Sequence, residues 1–117
     1  MSSELHIEVK KNEGSIPVNI LYLKGPLDAN TQNGLVNKAD ELMGNGTSNL
    51  VIDLNGVDYM GSAGLRAINS VSKSLTEKGG KLGLSNPSEP VAKIMKTLGF
   101  DSFFNVYDTT ESALKEF

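Results

Sequence analysis

LVIDLNGVDYMGSAGLRAI, residues 50–68, changes from the pattern of a buried strand to the pattern of a helix within a few residues. Residues 50–54 are apolar except for Asp53, which is typical of a strand covered on both faces. From Leu65 to about residue 78, apolar residues recur at spacings of three and four, as on one face of a helix. Ser62 lies at the junction, near the N–H-rich end of the predicted helix, a place that tolerates added negative charge.

The chain before this stretch predicts a hairpin followed by a helix. Residues 5–9 alternate between apolar and polar side chains, and residues 12–14 supply a turn before a second apolar strand at residues 18–24. Residues 25–28 break the strand pattern, and a first helix is predicted from about Thr31 to Met43.

The chain after this stretch continues the alternation of strands and helices. A short strand is predicted at residues 81–84, and a third helix between Pro90 and Gly99. A last strand is predicted within residues 103–107. Asp108 with Glu111 three residues later resembles a capping box that would begin a terminal helix.

The predicted order is ββαβαβαβα, which indicates an α/β fold in one domain, residues 1–117. We expect an open mixed sheet of about five strands, with an opening hairpin, then parallel right-handed crossovers, and about four helices. In such sheets ligands and partners meet the loops at the carboxyl ends of the strands. These loops are residues 25–30 and 60–64.

Composition limits the function classes. The formal charge is −3, from 11 basic and 14 acidic side chains, which argues against nucleic acid or an anionic membrane as a partner. The chain has no cysteine, so disulfides, thiol catalysis and cysteine metal sites are excluded. No signal peptide and no apolar run long enough to span a membrane is visible, so we expect a cytoplasmic protein.

Catalytic and metal chemistry find little support in the sequence. The one histidine, His6, lies on the polar side of the first strand, so a Ser-His-Asp arrangement with Ser62 is disfavoured. Asp53 and Asp58 lack the ligand density of a metal site, and Asp53 is interpreted as a strand-end carboxylate bonded to nearby amides. No phosphate-binding glycine loop occurs, and no cofactor is predicted. A response-regulator receiver is a weaker alternative, because the later strands end without a suitable lysine.

Two segments resemble one known family. DLNGVDYMGSAGLRAI, residues 53–68, resembles the signature of the STAS domain, the family of bacterial anti-sigma-factor antagonists, whose usual form is DLSxVxxMDS[ST/A]GL. GPLDANT, residues 25–31, resembles the GxLDxxT turn of the same family before the first helix. Element order and length agree over nearly the whole chain.

The resemblance implies a switch protein that is not itself an enzyme. The unmodified antagonist binds an anti-sigma factor that is also a serine kinase; phosphorylation of the motif serine ends the binding, and a serine phosphatase resets it. Ser62 aligns with that serine, and Asp28 with an aspartate beside it. Together with Arg66, which would stand beside the serine, the implied partner-binding residues are Asp28, Gly61, Ser62, Ala63, Gly64, Leu65 and Arg66.

Other interpretations remain open at this point. The family commonly has aspartate immediately before the phosphoserine, where this chain has Gly61, which raises the alternative of a STAS interaction subunit without kinase regulation. Ser62 is also a good helix N-cap residue, and Asp28 a good turn residue. Tyr59, Met60 and Leu65 are interpreted as core or rim rather than as contacts specific to a partner. An enzyme or nucleotide-binding protein is a third class.

Overall fold

The computed structural model describes residues 4–117, apart from the side chain of residue 101. Five strands form one sheet in the order β1-β2-β3-β4-β5. The strands are β1 His6–Glu13, β2 Pro17–Leu27, β3 Asn49–Met60, β4 Lys81–Ser85 and β5 Val106–Tyr107. The helices are α1 Gln32–Gly44, α2 Ser62–Glu77, α3 Glu89–Thr97 and α4 Thr110–Leu114, with a 3₁₀ turn at Phe100–Ser102. The predicted order ββαβαβαβα is confirmed.

The sheet is mixed, as the sequence predicted. Strand β1 pairs antiparallel with β2, and every other neighbouring pair is parallel. Each parallel strand follows the last through a helix, which is how the alternating pattern of the sequence is realised.

Strands β2 and β3 run further than the sequence indicated. Pairing between them continues from Asn19 and Leu50 to Leu27 and Met60, through two register shifts. The predicted break at residues 25–28 was therefore wrong for its first three residues. Gly25 takes a φ of +114° and a Cβ atom there would lie 2.3 Å from the Glu4 carbonyl oxygen, so only glycine fits this irregularity.

The main core lies between the sheet and helices α1, α2 and α3. The apolar faces that the helical spacing predicted are the faces that pack here, on strand residues that alternate inward. The fully buried larger side chains of this core are Leu21, Leu27, Leu35, Leu50, Ile52, Leu54, Val57, Ile68, Leu75 and Leu84.

The opposite face of the sheet is covered in part by α4. Val18, Ile20, Val51 and Ala113 form a second, smaller core. Burial, and secondarily the negative charge of Glu116, raise the pKa of the Tyr107 phenol at the edge of this cluster.

Helix α4 is capped by Thr109, and the predicted cap at Asp108 was wrong by one residue. The Ser112 N–H donates to the Thr109 hydroxyl oxygen at 3.0 Å. Thr109 holds the extended backbone of an N-cap, so its side chain reaches the free N–H groups of the first turn.

A buried carboxylate ties α4 to the sheet. Asp53 is 6% exposed and accepts hydrogen bonds from the Thr110 hydroxyl at 2.7 Å and from the Asn55 N–H at 2.9 Å. Ser85 lies 2.7 Å from the same Thr110 oxygen. A hydroxyl has one proton, which Thr110 gives to Asp53, so Ser85 is the donor to Thr110. The interpretation of Asp53 as a strand-end carboxylate bonded to nearby amides is supported by one amide, the Asn55 N–H. A further partner is the Thr110 side chain, 57 residues away in the sequence.

We expect Thr110→Val to destabilise the protein, because it leaves the buried Asp53 carboxylate without its shortest hydrogen bond. The free energy of unfolding should fall by about 1–3 kcal/mol in urea titrations followed by circular dichroism. Thr76→Val is the matched control, since the Thr76 hydroxyl bonds only to the Ser72 carbonyl on an exposed helix face. Equal losses for the two variants would contradict a structural role for the buried contact.

Candidate functional site

Two loops meet at the carboxyl edge of the sheet, where the sequence placed the site. The Gly61 N–H donates to the Leu27 carbonyl oxygen at 3.0 Å, and Leu27 pairs with Met60 at the end of the β2–β3 ladder. Asp28 follows Leu27 directly, and Ser62 follows Gly61. The structure therefore brings together the two predicted loops, and with them Asp28 and the first turn of α2.

Asp28 organises its own turn. Its Oδ1 atom accepts from the N–H groups of Asn30 at 2.9 Å and Thr31 at 3.2 Å. Its carbonyl oxygen accepts from the Gln32 N–H at 2.9 Å, at the start of α1. The turn interpretation of Asp28 is thus supported. The Oδ2 atom has no hydrogen-bond partner among residues 4–117, and it remains available to a partner molecule.

Ser62 is the first residue of α2, and its side chain is exposed. The interpretation of Ser62 as the helix N-cap was wrong. Gly61 occupies the cap position, and its carbonyl oxygen accepts from the N–H groups of Gly64 at 3.0 Å and Leu65 at 3.2 Å. The N–H groups of Ser62 and Ala63 have no acceptor in the described part of the chain. The Ser62 hydroxyl is thus an exposed group beside two unpaired backbone donors.

The other predicted site residues differ in exposure. Arg66 is exposed, four residues after Ser62 on the same helix, a spacing that places their side chains as neighbours. Leu65 and Gly61 are half-buried, whereas Ala63 and Gly64 are buried beneath the surface. None of the ion pairs found within residues 4–117 includes Arg66.

Gly64 is buried because α2 approaches β2 closely at this point. A Cβ atom at Gly64 would lie 2.6 Å from the Leu27 carbonyl oxygen and 2.8 Å from Leu27 Cγ. The absence of a side chain at Gly64 therefore lets the first turn of α2 rest on the end of β2.

Tyr59 lies beside the site. The sequence left undecided whether its side chain belongs to the core or to the rim. Met60 is buried and Leu65 is half-buried, but Tyr59 is 53% exposed, with its ring against Gly61. The signal available in the sequence is the strand period of two, which puts residues 59 and 61 on one face.

Among the side chains that the structure describes, none is hydrogen-bonded to the Ser62 hydroxyl as the base that activates a nucleophile would be. His6 is exposed on β1, and its neighbours Leu5 and Ile7 pack on the main core. Because side chains alternate along a strand, His6 faces away from α2, on the other side of the sheet. Asp53 is buried and bonded to Thr110, so it is not the open phosphoacceptor of a receiver domain.

Among residues 4–100 and 102–117, no cluster of three or more histidine or carboxylate side chains is arranged to hold a metal ion. Across the same residues, no helix combines the length and apolar character needed to cross a membrane.

Comparison with known proteins gives one consistent result. The family model described as STAS domain matches residues 6–113. The anti-sigma-B factor antagonist of Bacillus subtilis is 30% identical over 111 residues, covering 95% of this chain and 98% of the relative. The anti-sigma F factor antagonist of Paenibacillus polymyxa is 28% identical over 113 residues, covering 96% and 94%.

The likeness extends to a solved structure. The crystal structure of an anti-sigma factor antagonist from Mycobacterium paratuberculosis superimposes with a TM-score of 0.81 at 25% identity, covering 96% of this chain and 92% of that one. The expected fold is thereby confirmed by an experimental neighbour.

Substitution of Gly64 tests the contact that seats the first turn of α2. We expect Gly64→Ala to lower the free energy of unfolding by about 1–3 kcal/mol, because the added methyl group collides with Leu27. Gly34→Ala is the control: Gly34 lies in α1 with nothing within 4 Å of an added Cβ atom, so this variant should gain up to about 1 kcal/mol. Urea titrations of both variants measure the difference. A Gly64→Ala variant as stable as Gly34→Ala would contradict the tight contact.

Proposed function

Because the chain belongs to the STAS domain family, we propose that it is an anti-sigma-factor antagonist, a regulatory binding protein rather than an enzyme. In this proposal the unmodified protein sequesters an anti-sigma factor that is also a serine kinase, in the cytoplasm. Phosphorylation of Ser62 switches the binding off, and a serine phosphatase restores it. The observation that carries the proposal is the placement of Ser62, an exposed hydroxyl at the start of α2, beside the free N–H groups of the helix end.

The site favours a phosphate on Ser62 for a physical reason. A phosphoserine carries a charge of about −1.5 to −2 at neutral pH and three acceptor oxygens. The N–H groups of Ser62 and Ala63 are unpaired, and the positive end of the α2 dipole lies at the same place. Because the Gly61 carbonyl already caps the helix, the phosphate displaces no hydrogen bond of the Ser62 side chain. The protein itself need barely move.

The same phosphate is unfavourable in an interface. The partner-binding surface in this proposal comprises Asp28 and residues 61–66, with Ala63 and Gly64 providing the buried support. A partner that covers Ser62 would have to remove water from the added charge. Removing water from a charge that gains no partner costs several kcal/mol, on the order of 2–5, and this cost drives dissociation.

One observation favours a second candidate function. Gly61 stands where the family commonly has an aspartate, so a kinase that reads this carboxylate would not recognise the chain. In that case the protein is a constitutive interaction subunit of a larger signalling or transport assembly, with the same surface and no switch.

The test of the switch is phosphorylation by the cognate kinase. Purified protein incubated with ATP and this kinase should gain the mass of one phosphoryl group, and Ser62→Ala should gain none. Ser70→Ala is the matched control, because Ser70 is also exposed on α2, two turns further on, and should be phosphorylated like the wild type. A mass gain that survives Ser62→Ala would contradict the assignment of Ser62. Tight binding without any mass gain would favour the constitutive subunit.

A further inference from the structure

A half-exposed aromatic side chain lies against the glycine that precedes Ser62. Tyr59 is 53% exposed, close to the end of β3, two residues before the glycine that caps α2. Large aromatic side chains bury most of their surface when they can, since each carries a large apolar area. Tyr59 instead keeps about half of its surface in solvent, at the edge of the sheet that carries the proposed partner-binding surface.

The Tyr59 ring lies against Gly61. A Cβ atom at Gly61 would lie 3.3 Å from the Tyr59 hydroxyl oxygen, slightly tighter than an ordinary contact, and 3.4 Å from Cε2 of the ring. The ring therefore rests over the bare Cα of Gly61. The backbone at Gly61, with φ −99° and ψ 177°, is extended and open to any residue, so its conformation does not require glycine. A side chain at position 61 would instead displace the Tyr59 ring from its place against Gly61.

We propose that Tyr59 is a partner-binding residue whose ring lies over Gly61. This inference rests on the proposed function. The phenol adds an aromatic anchor with a polar end over Gly61, the residue before Ser62, and tyrosine is among the residues that most often dominate binding energy in interfaces. A half-exposed phenol ring is matched by an apolar pocket on the partner that also offers a hydrogen-bonding group to the hydroxyl.

The chain contains a control for exposed aromatic surface in general. Phe103 is 80% exposed, more than Tyr59, and it follows α3, outside the two loops that form the site. If exposed aromatic area alone promoted association, removing Phe103 would matter at least as much as removing Tyr59. If the position of the aromatic side chain within the partner-binding surface decides, removing Tyr59 should weaken binding and removing Phe103 should not.

Isothermal titration calorimetry tests the inference. The probes are the purified serine-kinase anti-sigma factors encoded in the same genome, titrated without ATP into wild type, Tyr59→Ala, Tyr59→Phe, Gly61→Ala and Phe103→Ala. We expect Tyr59→Ala to weaken binding by about tenfold or more, the scale of an interface hot spot. Gly61→Ala, which pushes the ring outward by a few tenths of an ångström on the geometry above, should give a smaller loss. Phe103→Ala should bind within about twofold of wild type, like surface residues outside a hot spot.

The outcomes separate this inference from the function on which it rests. If the wild type binds a kinase and Tyr59→Ala binds equally well, the inference is overturned while the proposed function stands. If the wild type binds none of them, both are overturned. Thermal melting of each variant shows whether its fold is intact, and Tyr59→Phe keeps the test decisive should Tyr59→Ala be unstable. Loss of the phenol hydroxyl alone should then weaken binding several-fold, and unchanged binding by a stable Tyr59→Phe would overturn the hydrogen-bonding part of the pocket.

Discussion

The hydrogen bond from the Gly61 N–H to the Leu27 carbonyl joins the two loops on which the site is built. Gly64 packs against the same carbonyl, at a distance that excludes any side chain. The first turn of α2 is therefore held on the end of β2 at two points, three residues apart. This contact requires β2 and β3 to be paired to their last residues, and the pairing in turn depends on the irregularities around Gly25 and Gly56.

The backbone around Ser62 is held in place by other groups, and the Ser62 hydroxyl itself makes none of these contacts. The Gly61 carbonyl satisfies the N–H groups of Gly64 and Leu65, and the Asp28 carboxylate satisfies its own turn, so neither task falls to Ser62. A serine that served as the cap would lose its hydrogen bond on modification. Ser62 makes no such capping hydrogen bond, so a phosphate on it would change the charge of the surface without changing the fold that presents it. A reversible binding switch needs this combination.

The sequence was informative where local patterns coincide with tertiary structure. The order of elements, the helical faces and the position of Ser62 between strand and helix follow from hydrophobic spacing, and residues 53–68 carried the family resemblance. The length of β3 could not be predicted, because Asn55, Gly56 and Asp58 break its apolar pattern, while the pairing of Gly56, Val57 and Tyr59 with β2 continues the strand past them. The sequence did not show that Thr109, rather than Asp108, has the extended backbone of the residue just before α4, and this backbone conformation makes Thr109 the cap.

The site was predictable in its residues but not in their roles. Ala63 and Gly64 were grouped with Ser62 by motif, and only the contact with Leu27 shows that they lie beneath the surface. The link from Asp53 to Thr110 spans 57 residues and has no signature in the sequence. The position of the Tyr59 ring depends on the space above Gly61, which is visible only in three dimensions.

In the proposed switch, charge on Ser62 ends partner binding without altering the fold. This is tested by comparing the affinity of unmodified protein, Ser62-phosphorylated protein and Ser62→Asp for the purified kinase-type anti-sigma factor, with circular dichroism of each. The phosphorylated protein should bind at least about tenfold more weakly, and Ser62→Asp should be weakened in the same direction, with superimposable dichroism spectra. Equal affinity of the phosphorylated and unmodified proteins would contradict it.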